Sequence, residues 1–138
     1  MGKVPKHVPV IKVAHLNPIL GFFLLLLNQF TTKTLMRKVD AQLVRAIRHQ
    51  DGFSKGNRNV VQNQNGTTDI FFHGHRIACI FDDSMMIDNC GYWTVTTKQI
   101  LNVLLGEFCN SSIYQKNFDW FLGNGDEYTG GQMLIPTV

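Results

Sequence analysis

The sequence predicts an α+β domain, with an N-terminal amphipathic helix, antiparallel β-hairpins, a second helix packed on the sheet and two closing strands. Three observations carry this. Apolar residues recur at helical spacing from Leu35 to Gln50, strand-like runs follow between turn signals, and a threonine-rich stretch leads into a second helical pattern. An order of helix, three or four strands, helix and two strands needs no parallel crossover before the second helix, so a mostly antiparallel sheet is expected.

In the first helix Leu35, Val39, Leu43, Ala46 and Ile47 share one arc when each residue turns ~100°. Arg37, Lys38, Arg45 and Arg48 fall on the opposite arc, and Asp51-Gly52 stops the pattern. "FSKGNRN" reads as a loop. "VVQNQNGTTDIFF" reads as two strands around Asn65-Gly66, the strongest short hairpin signal, because a type I′ turn wants positive φ at both central residues. "DIFFHGHRIACIFD" predicts a second hairpin turning near Gly74, and "SMMID" a further strand. On the returning strand Ile77, Cys79 and Phe81 are expected on one face and Ala78 and Ile80 on the other, so the strand is covered on both sides.

"GYWTVTTKQILNVLL", residues 91 to 105, explains its own threonines. Thr96 followed three places on by Gln99 fits a capping box, with Val95 and Ile100 placed as a hydrophobic staple across it. Ile100, Leu104 and Phe108 then run down one face beside Leu101 and Leu105, while Gly106 weakens the helix by about 1 kcal/mol relative to alanine. "SIYQKNFDWFL" and "GGQMLIP" predict the closing strands, separated by the turn-rich "GNGDEYTGG".

Charge divides the chain. Residues 1–35 carry Lys3, Lys6, Lys12 and Lys33 and no acid, residues 37–58 carry six basic residues against two acids, and residues 59–138 carry three against eight. A basic leader thus precedes an acidic body, which disfavours global binding to nucleic acid and leaves a local basic face. The expected organisation is a hydrophobic and basic extension, residues 1–35, followed by one small domain, residues 36–138. The apolar run within "PILGFFLLLL" (residues 18–27) begins at Ile19 and has nine residues, about half of the ~20 that span a bilayer. No small-residue cleavage site follows it, so a signal peptide is disfavoured and membrane contact by residues 18–27 is the lesser expectation; Met36 is expected to be the natural start. Three cysteines without CxxC spacing suit a reducing, cytoplasmic setting.

No cofactor, metal or small-molecule substrate is implied. His73, His75, Cys79 and Cys90 offer zinc-ligand types, but their spacing matches no common zinc motif, and Cys79 sits among apolar neighbours. Asp82, Asp83 and Asp88 suggest metal-dependent hydrolysis only weakly, since adjacent strand residues point apart and "DDS" is ordinary turn chemistry. "GNGDEYTGG" lacks the lysine and the following helix of a phosphate loop, and no nucleophile elbow appears, so an enzyme is not expected. Two binding readings remain. Nucleic acid, DNA or RNA, would meet Arg37, Lys38, Arg45 and Arg48 on the first helix, then Lys55 and Arg58, with Lys98 at the second helix start and Tyr92 and Trp93 stacking on bases. A protein partner would pair with the acidic strand surface or a sheet edge, and Tyr92 and Trp93 would then seal the second helix against the sheet.

"RKVDAQLVRAIRHQDGFSKGN", "FFHGHRIACI", "NCGYWTVTTKQILNVLL" and "YQKNFDWFL" together resemble a family of small proteins encoded by tailed bacteriophages. Its members look alike in a "W.KGN" loop, a glycine hairpin, a "GWxTxTTKxRLNxLL" helix start and a "QKNxxWF" strand, matched here over about residues 36 to 135. Ile100 stands where the family shows arginine and Phe53 where it shows tryptophan, so any contact made by that arginine is lost here. The resemblance implies a phage or prophage accessory protein without an established activity, which makes a host or phage protein the expected partner, ahead of nucleic acid.

Overall fold

The computed structural model describes residues 36–138. The extension, with its segment 18–27, and Leu35 lie outside the described residues. Among the described residues two helices and nine strands form an α+β domain in which every strand pairing is antiparallel. Helix α1 (Lys38–Arg48) precedes β1 (Phe53–Lys55), β2 (Arg58–Gln62), β3 (Thr68–Phe72), β4 (His75–Ile80) and β5 (Ser84–Asp88). Helix α2 (Val95–Phe108) leads to β6 (Ile113–Lys116), β7 (Asp119–Leu122), β8 (Glu127–Tyr128) and β9 (Gln132–Pro136). The larger sheet runs β1-β2-β3-β4-β5-β9 and the smaller β6-β7-β8.

The register explains the core. Val60, Ile70, Ala78, Ile87 and Met133 are paired in turn across β2, β3, β4, β5 and β9, so their side chains share one face of the pleat. That row joins Leu43 and Ile47 of α1 and Ile100, Leu101, Leu104 and Leu105 of α2 in a single buried cluster. Ile100 is therefore a core residue. Val61, Phe81 and Leu134 are exposed.

Four local expectations change. First, "FSKGNRN" is a hairpin rather than a loop, because Gly56 and Asn57 both take positive φ and close a two-residue turn between β1 and β2. Second, Asn65-Gly66 is not a two-residue turn: the Asn63 amide donates to the Thr67 carbonyl around a three-residue loop in which Gly66 alone has positive φ. The Asn65 side chain accepts from the Thr67 amide at 3.1 Å and from its hydroxyl at 2.7 Å, which holds this longer form. Third, β4 carries a bulge. Phe71 pairs with Arg76 and Ile70 with Ala78, so Ile77 is the extra residue and joins Ala78 in the core, breaking the expected Ile77–Cys79–Phe81 face. Fourth, "SIYQKNFDWFL" is a hairpin, and "GNGDEYTGG" contains β8. The turn near Gly74 stands as expected, with His73 and Gly74 both at positive φ.

Candidate functional site

Helix α2 begins at Val95 and its cap is Thr94, two residues before the expected cap at Thr96. Thr94 has extended backbone, and its Oγ1 accepts from the Thr97 amide at 3.2 Å while donating to the Thr97 hydroxyl at 2.9 Å. Thr96 and Gln99 are thus not the cap, and Val95, 63% exposed, staples nothing to the fully buried Ile100. The earlier start sets Tyr92 and Trp93 in the tight lead-in to the helix, where Cys90 and Gly91 take positive φ and the Tyr92 amide donates to the Asn89 carbonyl at 2.9 Å.

From this lead-in the two rings serve different cavities. The Tyr92 hydroxyl lies 3.2 Å from Nε2 of His75, over a cavity of about 380 Å³ lined by Phe72, His73, Ile77 and the hydroxyl-bearing Thr94, Thr96 and Thr97. Trp93 lines a separate cavity of about 370 Å³ with Phe118, Asp119, Trp120, Glu127 and Tyr128. They are not one stacking platform. A larger groove of about 720 Å³, containing Ser111, Ser112, Asn124 and Thr137, lies where the end of α2 meets the β7–β8 loop and β9.

The Trp93 cavity has a buried aromatic floor. Trp93 meets Trp120 edge-on at 4.8 Å and Tyr128 at 6.0 Å, and Trp120 stacks with Tyr128 at 6.2 Å. The Tyr128 hydroxyl accepts from the Asn89 amide at 2.8 Å and donates to the Gly131 carbonyl at 2.6 Å, and burial pushes its phenol up to about 12. Gly130 has φ +98°, and a Cβ there would stand 3.0 Å from the indole, so glycine is what lets Trp93 lie against this loop.

The wall differs from the floor. Phe118 is 91% exposed at φ +70°, beside Asn117 at φ +53°, in the two-residue turn between β6 and β7. Asparagine tolerates the left-handed region; a bulky aromatic residue is a genuine outlier there. Trp93 is itself 49% exposed, and Tyr114 and Phe121 stack at 5.5 Å on the same hairpin. Between residues 111 and 131 Lys116 is the single basic residue against Asp119, Asp126 and Glu127.

The expected nucleic-acid residues are dispersed. Arg58 is 5% exposed, with Nε 2.8 Å from Asp40, Nη1 donating to the Gly56 carbonyl at 2.7 Å and its guanidinium over the Phe72 ring, so it is a core cation rather than a surface contact. Arg37 also binds Asp40, at 2.9 Å. Arg48 is engaged by Glu107 at 2.9 Å and lies over Phe108, and Lys98 donates to Gln115 at 3.0 Å. Lys38, Arg45 and Lys55 are exposed and make no ion pair among the described residues.

The possible metal ligands part company as well. Cys90 Sγ lies 3.2 Å from the Arg76 carbonyl, His75 faces Tyr92, and among the described residues no three His, Cys, Asp or Glu side chains gather to hold a metal. Burial, and next the Asp69 carboxylate, push the Cys79 thiol up to about 11. Burial disfavours ionisation of Asp69 too, but hydrogen bonds from Asn63 and Cys79 and the charge of Arg76 outweigh it and hold its carboxyl below the ordinary value. No helix among the described residues is long and apolar enough to cross a membrane.

Sequence reasoning passed over Phe118, Asp119, Glu127 and Gly130. The signal available was the pair of four-residue strand runs, "IYQK" and "DWFL", on either side of Asn117-Phe118.

No curated protein and no solved structure matches the chain. A protein-family model does, across residues 36–134, which takes in α1, α2, β1 to β8, the first three residues of β9 and the whole Trp93–Phe118 surface. The chain belongs to the Kyanoviridae Gp96 protein family, a family of phage proteins.

Proposed function

We propose that the protein is a phage accessory factor that acts by non-enzymatic binding to a host or phage protein, through the aromatic surface around Trp93 and Phe118. One observation carries this reading. Phe118 holds an exposed aromatic ring on a backbone conformation that favours glycine, a cost of order 1–3 kcal/mol that glycine at this turn position would not carry. Strain of this kind gathers at functional positions, and an exposed tryptophan over a packed aromatic floor is the kind of residue that dominates protein interfaces. Nucleic-acid binding through Lys38, Arg45 and Lys55 is the second reading, supported by their exposure and freedom from ion pairs.

The test is photo-crosslinking in infected cells, with a benzophenone amino acid placed at position 118 in one variant and at position 45 in another. A defined protein adduct from position 118 is the expected result. Absence of any protein adduct there overturns the reading, and nucleic-acid adducts from position 45 would favour the second.

A further inference from the structure

We infer that the partner's docking segment is basic and seats an arginine or lysine side chain in the cavity between Trp93 and Phe118. The inference rests on the protein-binding reading above and names the chemistry of that same surface. The cavity, about 370 Å³, is walled by four aromatic residues, Trp93, Phe118, Trp120 and Tyr128. Aromatic faces attract cations, tryptophan most strongly. Asp119 and Glu127 add two carboxylates to the lining, beside Thr129, and neither carboxylate is in an ion pair among the described residues. Lys116 stands across the hairpin from Asp119 in the strand register and makes no salt bridge to it. The site therefore carries net negative charge beside exposed π-faces, which an acidic or neutral apolar segment would not complement. A guanidinium suits it best, because its plane can stack on a ring while its edge hydrogen-bonds a carboxylate.

The probe is a short capped peptide of glycine and serine with two arginines, compared with the same peptide carrying citrulline, which keeps the shape and removes the charge. Binding is followed by ¹H–¹⁵N NMR of the protein. The arginine peptide is expected to shift the Trp93 indole signal and the amides of residues 118–120 and 127–130. Citrulline should bind about tenfold more weakly, and Asp119→Asn with Glu127→Gln should lower arginine-peptide affinity by a similar factor. Phe118→Gly removes the wall while relieving the positive φ, so weaker binding by that variant cannot be assigned to misfolding. Equal binding of both peptides, or shifts confined to other acidic positions such as Asp82 and Asp83, overturns the inference. If position 118 crosslinks to a protein and the arginine peptide has no effect, the basic-partner inference falls and the protein-binding reading stands; no protein adduct at 118 brings down both.

Discussion

Asp40 Oδ1 lies 2.8 Å from Nε of Arg58, and both side chains are almost entirely buried, joining the first turn of α1 to the start of β2. Removing Asp40 leaves the buried Arg58 guanidinium without its carboxylate, whereas removing Arg58 leaves Asp40 still paired with Arg37. Asp40→Ala should lower stability by about 3–5 kcal/mol in urea titration, and Arg58→Ala by less, because Asp40 keeps Arg37. Replacing both together, Asp40→Leu with Arg58→Met, should cost far less than the sum of the two. Additive losses would mean that the pair is not coupled.

Phe118→Gly should leave the unfolding midpoint unchanged or raise stability by about 1 kcal/mol, since the side chain is solvent-exposed and the turn wants positive φ. Thermal melting of the two proteins decides it. A loss above that size would show that the ring supports the fold.

The position of the α2 cap can be read by substitution. Thr94→Ala should cost about 1 kcal/mol through loss of the bond to the Thr97 amide, and Gln99→Ala close to nothing. The reverse order would return the cap to Thr96 and Gln99.

Stability should fall in alkali. Burial raises the Cys79 and Cys109 thiols from 9.0 to about 11 and the Tyr128 phenol from 10.0 to about 12. The folded state thus keeps protons that the unfolded chain releases, so the contribution is complete below pH 9.0 and is lost as pH rises from 9.0 towards about 12. Asp69 has the opposite sign: its lowered carboxyl stabilises the fold above 3.8, and that part is lost as pH falls below it. Melting temperature against pH checks both limbs, and Cys109→Ala should flatten the alkaline one.

The second helix was legible in the sequence because an apolar pattern of period 3.6 has one solution: Ile100, Leu101, Leu104 and Leu105 are all fully buried. The first helix was legible for the same reason at Leu43, Ala46 and Ile47. Arg58 was misplaced because an arginine near a loop reads as solvent-exposed, and its partner Asp40 is eighteen residues away on another element. Asn65-Gly66 misled because local side-chain bonds to Thr67 outweighed the dipeptide's preference. The strand that "FSK" forms is only three residues long, too short for any period to register. The Trp93–Phe118 surface joins the lead-in to α2 with residues 118–120 and 127–129, about 25 residues and more along the chain, and Phe118 is not a residue that turn chemistry selects.

The two outer strands of the larger sheet limit how copies of this protein can associate. β1 offers three residues, with Ser54 and Lys55 exposed, and β9 ends at Pro136, which has no amide hydrogen to give. A neighbouring copy finds a three-residue ladder at β1 and one cut short by proline at β9, so strand-by-strand stacking into fibres is disfavoured at high concentration.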